Sequence, residues 1–329
     1  MDDRATDLAS RPTLVVTGVG AVSAAGFGAT ALWEYARCGR DGLRAPIRFS
    51  SAEMCGQVEG WEHLELVGTG GSGAQSLCVA FGERAAREAM AAAGVTPGHR
   101  LAVVFGSNLF DRPAGLDVVA ARIAGAVGAS GPCITVSTAC ASSASALALA
   151  MTLLRCSNID AVLAGGADVL TPMVLAGFRV LRLLTPARCA PFSVPPGTSL
   201  GEGAAFLVLE RACDAAARRA SPRAQIVGAG LAADAFHMTS PDPRGGSLAR
   251  SIERAARNAG REHSRIAYVN AHGTGTETGD LAECRGLVRV FGRCIPPISA
   301  SKSILGHAQG AAGALEAVLT LEGLARGLA

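Results

Sequence analysis

The hydrophobic positions of this chain fall into two recurring textures. One is a short run of β-branched and aliphatic residues closed by glycine. The other is a longer Ala/Leu-rich run with apolar residues every three or four positions. Runs of the first kind are residues 14–19 (LVVTGV), Leu101–Gly106 (LAVVFG), 134–138 (ITVST), 160–167 (DAVLAGGA) and 200–210 (LGEGAAFLVLE). Each is predicted to be a buried strand. Runs of the second kind predict helices near Ala29–Arg37, over Ala74–Ala93 and over 141–154. In Ala74–Ala93 the apolar positions Leu77, Ala80, Ala85, Ala86 and Met90 recur at helical spacing, and Gly94 supplies the stop. Residues 38–72 and the Pro-rich stretch 186–196 read as irregular.

The pattern then begins again. Residues 224–229 (AQIVGA), 266–271 (IAYVNA) and 297–300 (PISA) predict strands, and 248–259 and 310–325 predict helices. The best internal repeat sets ITVSTACASSASALALA beside ISASKSILGHAQGAAGALEAVL. Both are a short Ile/Ser strand, a small-residue turn and an Ala/Leu helix. This predicts an α/β fold of two similar halves packed back to back, with helices on the sheet faces. The division is a tail (1–13), a first half (14–222) and a second half (223–329). Counterparts of DAVLAGGA and GEGAAFLVLE are absent from the second half, so its sheet is expected to be incomplete and to expose an edge.

Composition narrows the function classes. The 329 residues are 49% hydrophobic and 17% charged, enough for an extensive core, and the 41 glycines suit close helix–sheet packing. A net charge of +3, from 30 basic and 27 acidic residues, is no footprint for nucleic acid, though it leaves room for a local basic patch facing an acidic carrier. The ten cysteines form no CxxC pair and no Cys/His cluster with zinc spacing, so neither a metal site nor a disulfide framework is expected. Residues 1–13 are polar, and 139–154 is too short and Ser-rich for a bilayer, which needs ~20 apolar residues. The expectation is a cytoplasmic protein with reduced thiols and no membrane insertion. The GVG at 18–20 invites a dinucleotide-binding reading, but the third glycine is out of register and the required acid is missing.

Chemistry enters at the turn of the first repeat. Cys140 falls where ITVST gives way to a helix, and a helix N-terminus is expected to lower its pKa. The plain alternative is a buried cysteine in an Ala-rich core. The second half sets two glycine-flanked histidines at the same kind of crossing, His272 in NAHGTGTETGD and His307 in SILGHAQGAAGALE. Lys302 precedes His307, and Glu316 follows it. A lone histidine at a strand end is usually packed or solvated. A cysteine and two histidines converging, with a charged pair behind, suit thioester chemistry: thiolate attack, then stabilisation of an oxyanion.

With these residues in place the chain resembles the β-ketoacyl synthases, the condensing enzymes of the thiolase fold. The matching segments are VVTGVGAVSAAG, STACASS, DAVLAGGADVLTPMVLAGF, SLGEGAAFLVLER, DAFHMTSPDP, NAHGTGTETGDLAE and SKSILGHAQGAAGALEA, in the family's order. The resemblance implies a thiolase-like layered α-β-α-β-α fold built from two similar halves, the second incomplete. It implies that Cys140 accepts the acyl group and that His272 and His307 bind the malonyl thioester carbonyl and promote decarboxylation. Lys302 then takes the place of the family's active-site lysine and Glu316 that of its ion-pair partner. Asp280 and Glu283 hold the HGTGT loop, and Thr274, Thr276, Thr239 and Phe178 fall on the substrate-binding side. No cofactor is implied, because the substrates ride on the phosphopantetheine of an acyl carrier protein. The other implied partner is a second ketosynthase subunit, in a homodimer or heterodimer, with residues 108–110 closing the partner's acyl pocket.

The chain departs from the family by lacking a C-terminal Gly-Phe-Gly-Gly hairpin, which provides two strands and one oxyanion-hole N–H. The segments 107–133 and 186–196 are also short for the family. Weak catalysis is therefore expected of the 329 residues as they stand. The leading expectation is decarboxylating Claisen condensation of a Cys-bound acyl group with malonyl-carrier protein. The alternatives are acyl transfer without decarboxylation, which the pair of histidines disfavours, and a non-catalytic partner subunit, which the presence of Cys140 disfavours and the lack of the hairpin favours.

Overall fold

Strands that are apolar on both faces need cover on both, and the first half is built to supply it. The computed structural model describes residues 11–64, 74–96, 100–108 and 115–327, with the side chains of 74–76 left aside. The first half runs β1 (Leu14–Ser23), β2 (Gly26–Phe27), α1 (Ala29–Arg37), α2 (Ala74–Ala93), β3 (Leu101–Gly106), α3 (Leu116–Ala126) and β4 (Cys133–Val136). It continues with α4 (Ser142–Cys156), β5 (Ala161–Asp168), α5 (Pro172–Val180), β6 (Gly203–Arg211) and α6 (Ala212–Ala217). The second half runs β7 (Ala224–Gln225), α7 (Gly246–Asn258), β8 (Val269–Asn270), α8 (Glu277–Phe291), β9 (Ile298–Ser299), α9 (Lys302–Leu305) and α10 (Ala312–Ala325).

The strand order of the first sheet is β2-β1-β6-β5-β3-β4, with β7 also pairing on β1. β4, β3 and β5 are parallel, while β6 runs antiparallel to β5 and to β1. One face packs Phe105, Leu163 and Phe206 against α2 and α3. The other packs Val104, Val162 and Leu207 against α4 and α10. On the far side of α10, Asn270 of β8 donates through Nδ2 to Thr320 Oγ1 at 2.9 Å, and β8 is covered in turn by α7 and α8. The layers are thus helix, sheet, helix, sheet, helix. The stretch Ala139–Cys156 has a mean hydropathy of 1.4, high enough for a short membrane span by composition and length alone. In the fold it supplies α4, a middle-layer helix packed on β3 and β5.

The two halves share a packing device that explains the GVG. An added Cβ on Gly18 or Gly20 would lie 2.0 or 2.1 Å from a carbonyl oxygen of α2. An added Cβ on Gly228 or Gly230 would lie 2.3 or 1.9 Å from one of α7. Each GxG therefore seats a strand-forming segment directly on its helix, a steric role that needs no nucleotide.

The second sheet departs from expectation. Residues 266–271 and 297–300 contract to the parallel pair β8–β9, and 224–229 contracts to Ala224–Gln225, which pairs with Val15 and Val16 of the first sheet. The GxG segment corresponds to β1, β8 to β3 and β9 to β4. In the first sheet β5 and β6 lie between β3 and β1. By this correspondence the opening in the second sheet lies between β8 and the 226–231 segment, and the exposed edge expected along 224–229 is relieved at Ala224 and Gln225, which pair with β1. Among the described residues β8 pairs only with β9. Five helices among the described residues also went unforeseen: α3, α5, α6, α8 and α9. Residues 1–10, 65–73, and Leu109 and Phe110 of the expected dimer contact lie outside the described residues.

Candidate active site

Cys140 sits in the tight turn between β4 and α4. Ala139 adopts a left-handed φ of 50°, and the turn is closed by Ser142, whose Oγ accepts from Thr138 N at 2.9 Å and donates to Ala139 O at 2.6 Å. The Ser-rich start of the helix thus satisfies local backbone groups. The expectation of a lowered thiol pKa is overturned. Burial pushes Cys140 from 9.0 up to about 11; the Lys302 ammonium opposes this, and the Asp168 and Glu316 carboxylates add to it. Desolvation of the thiolate outweighs the positive end of the helix, so the resting group is a thiol.

His307 Nε2 lies 2.9 Å from Cys140 Sγ. Its other nitrogen, Nδ1, accepts the Gln309 N–H at 3.2 Å, which places the ring proton on Nε2. The ring is 2% exposed and its pKa lies well below the usual 6.5, first through burial and then through Lys302 and His272, so it stays neutral. His272 crosses it edge-on, with ring centroids 5.2 Å apart. Lys302 Nζ reaches three acceptors: His272 Nδ1 at 3.3 Å, the His272 carbonyl and Glu316 Oε1. An ammonium has three N–H donors, and here each has an acceptor. That contact places the His272 proton on Nε2 as well. His272 is open to solvent on one side, yet the surrounding protein, and after it Lys302, hold its pKa well below 6.5. Burial raises the Glu316 carboxyl, and the adjacent ammonium partly offsets this.

The HGTGT loop is held from behind by α8. Asp280 and Glu283, three residues apart, share a helix face. Glu283 accepts from His272 N and Gly273 N at 2.7 and 2.8 Å, and Asp280 accepts from Gly275 N at 3.0 Å and from Phe192 N. Burial raises the Glu283 carboxyl, and the two backbone donors work the other way. Thr274 and Thr276 join hydroxyls at 2.8 Å on the same loop. The structure therefore gathers Cys140, His272, His307, Lys302 and Glu316, with Asp280 and Glu283 as loop supports. Phe178 instead lies half-buried against Leu170, Leu175 and Leu200. Thr239 is exposed, its N–H directed at His237 Nδ1 at 3.1 Å. Two residues that sequence reasoning missed are Gln309, which sets the His307 tautomer, and Asp168, an acid closing an otherwise apolar strand.

The ligand atoms of Cys140, His272 and His307 lie within 4.8 Å of one another, close enough for a metal ion. The donor set argues against one: both Nε2 atoms carry protons, and a buried ammonium stands beside His272. Two N–H groups converging beside a thiol suit a developing oxygen anion instead.

A thiol and two imidazole donors converging in a five-layer fold define a thioester-handling acyl-transfer site. The comparisons with known proteins agree. Residues 76–215 match the Beta-ketoacyl synthase, N-terminal domain family, and residues 223–329 match the Beta-ketoacyl synthase, C-terminal domain family. The 3-oxoacyl-[acyl-carrier-protein] synthase 2 of Vibrio cholerae is 30% identical, with 96% of this chain and 86% of that protein covered. Nodulation protein E of Rhizobium meliloti is 31% identical, covering 96% and 87%. Among solved structures, the ishigamide ketosynthase/chain length factor superposes with a TM-score of 0.88 at 30% identity, over 97% of this chain and 87% of that one. A type II polyketide ketosynthase in complex with its acyl-carrier protein superposes with a TM-score of 0.84 at 27% identity, covering 96% and 87%. The chain belongs to the β-ketoacyl synthase family, and its fold is thiolase-like.

Proposed function

We propose that this chain catalyses decarboxylating Claisen condensation between an acyl group carried on Cys140 and a malonyl group on an acyl carrier protein, in fatty-acid or polyketide synthesis. The observation that carries the reading is the convergence of the Cys140 thiol with two Nε2–H donors, one of them 2.9 Å from Sγ. In the first half-reaction Cys140 Sγ attacks the carrier thioester. The carbon–sulfur bond to phosphopantetheine breaks, and the thiol proton of Cys140 ends on the departing pantetheine sulfur. In the second, the malonyl thioester oxygen lies between the Nε2–H groups of His272 and His307. Carbon dioxide leaves, the electron pair becomes an enolate held by those donors, and its carbon attacks the Cys140 thioester. The Cys140 sulfur then departs and is reprotonated. Lys302 and Glu316 fix the His272 tautomer, Asp280 and Glu283 hold its loop, and Thr274 and Thr276 face the pantetheine arm. On the family resemblance we assign Thr239 and Phe178 to substrate binding. Neither the chemistry nor the donor set calls for a metal or a resident cofactor.

The partners we assign are an acyl carrier protein and a second ketosynthase subunit, with the protein in the cytoplasm. A paired subunit is supported by β4, which ends the first sheet beside β3 and presents the partly exposed row Cys133–Val136. The division into halves at residues 222 and 223 is supported by the strand correspondence. Intact-mass measurement after incubation with acyl- and malonyl-carrier proteins tests the function. Acylation of Cys140 together with carbon dioxide loss from the malonyl carrier is expected. Acylation without decarboxylation would move the assignment to simple acyl transfer.

A further inference from the structure

Asp168 closes β5 and is 1% exposed. Its Oδ1 accepts the Ser107 hydroxyl at 2.6 Å, both oxygens accept the Asn108 N–H at 3.1 and 3.0 Å, and Oδ2 accepts the Gly310 N–H at 2.7 Å. One carboxylate thus ties the ends of β3 and β5 to the turn that follows His307. In that turn Gln309 holds a left-handed φ of 50°, strained for a residue with a side chain, and its N–H is the group that caps His307 Nδ1. The fit at Gly310 is exact in the steric sense that counts: an added Cβ would lie 2.6 Å from Asp168 Oδ2 and 2.9 Å from Asn108 N.

We propose that Asp168 is a positioning residue for His307: by holding the Gly310 N–H it keeps the Gln309 peptide in its left-handed turn, and so keeps the imidazole proton on Nε2, facing Cys140. The carboxylate touches no substrate and acts through two peptide units. An acceptor-only group is what the geometry demands there, since the Ser107 hydroxyl and the Asn108 and Gly310 N–H groups all converge on its two oxygens. An amide in its place offers one oxygen and turns an NH₂ toward a donor. The turn then relaxes, and Nδ1 loses its cap. The catalytic consequence rests on the function proposed above; the tautomer does not.

The test is nitrogen NMR of the full chain labelled with ¹⁵N-histidine, comparing wild type, Asp168→Asn and Ser107→Ala. The expected wild-type spectrum has a proton-bearing Nε2 and a bare Nδ1 at His307. Asp168→Asn gives a mixture of tautomers, with malonyl decarboxylation lower by about ten- to a hundredfold in kcat and little change in KM. Ser107→Ala, which leaves the Gly310 bond in place, keeps the wild-type tautomer. A folded Asp168→Asn protein with an unaltered His307 spectrum overturns the proposal. If Asp168→Asn does not fold, Asp168→Glu decides by the same spectrum: a tautomer mixture supports the proposal and a wild-type pattern overturns it. The spectrum alone judges Asp168, whether or not the wild-type chain decarboxylates malonyl thioesters.

Discussion

Lys302 Nζ donates to Nδ1 of His272 across 3.3 Å, and this one contact decides which nitrogen of His272 faces the substrate with a proton. Lys302 is the only lysine among the 30 basic residues of the chain, and it is 1% exposed. Every other basic side chain is an arginine, whose rigid planar fork could not place three donors on three diverging acceptors in this way.

Lys302→Met should therefore abolish malonyl decarboxylation and also destabilise the fold. The variant leaves Glu316 without its cation, which for a buried pair costs about 3–5 kcal/mol. The double variant Lys302→Met/Glu316→Leu is expected to recover most of the melting temperature and none of the decarboxylation. Recovery of both would show that the pair serves stability alone.

His272→Ala and His307→Ala should each lower malonyl decarboxylation by about 10²–10³, because each removes one of two donors to the enolate oxygen. Some self-acylation of Cys140 is expected to survive, since its thiol proton can leave with the pantetheine sulfur. Mass spectrometry of the acylated chain beside a carbon dioxide assay separates the two steps. Wild-type decarboxylation in both variants would remove the histidines from the mechanism.

The thiol predicts an unusual order of labelling. Iodoacetamide at about pH 8 should modify the exposed Cys38, Cys156, Cys213 and Cys294 before Cys140, because burial keeps Cys140 protonated. Prior incubation with an acyl thioester should abolish labelling of Cys140 altogether, because the acyl group then occupies its sulfur. The sign for stability follows: an unfolded thiol near 9.0 ionises before the folded one at about 11. The stabilisation is complete below pH 9 and is lost as the pH rises toward 11. Peptide mapping that finds Cys140 alkylated first would contradict the burial argument.

The second sheet offers a structural prediction. Amides of residues 227–231, next to the opening, should exchange faster than those of Gly18–Ser23 in β1. A two-stranded hairpin fused or supplied as a peptide should slow that exchange and raise condensation, by completing the sheet beside β8. Equal protection in both segments without any added hairpin would show that the opening is closed in solution by other means.

Association is the last expectation. Pairing of β4 with a second subunit predicts twice the chain mass by light scattering, and a substitution of Thr135 by Pro should reduce it to one, since the N–H of Thr135 faces away from β3 and proline removes that ladder donor. A chain that is monomeric at micromolar concentration would refute the pairing.

What the sequence determined by itself was whatever is written in local pattern. Apolar runs such as LAVVFG and the spacing of Leu77, Ala80 and Met90 become β3 and α2 because a strand or helix buries its own period. The residues around Cys140, His272 and His307 were legible for a similar reason: glycine and small residues must flank groups that other backbone approaches closely. Helix α8 escaped notice because its start, ETGD, reads as loop, and its reason for being is to aim Asp280 and Glu283 at a loop already passed. The tertiary structure alone decided the sign of the Cys140 shift, since burial comes from segments far along the chain. It alone decided both histidine tautomers, which depend on Gln309 and Lys302 meeting particular ring nitrogens. It also decided where the second sheet is open, between β8 and the 226–231 segment. Strand order is a property of the folded topology, and no run of residues along the chain carries it.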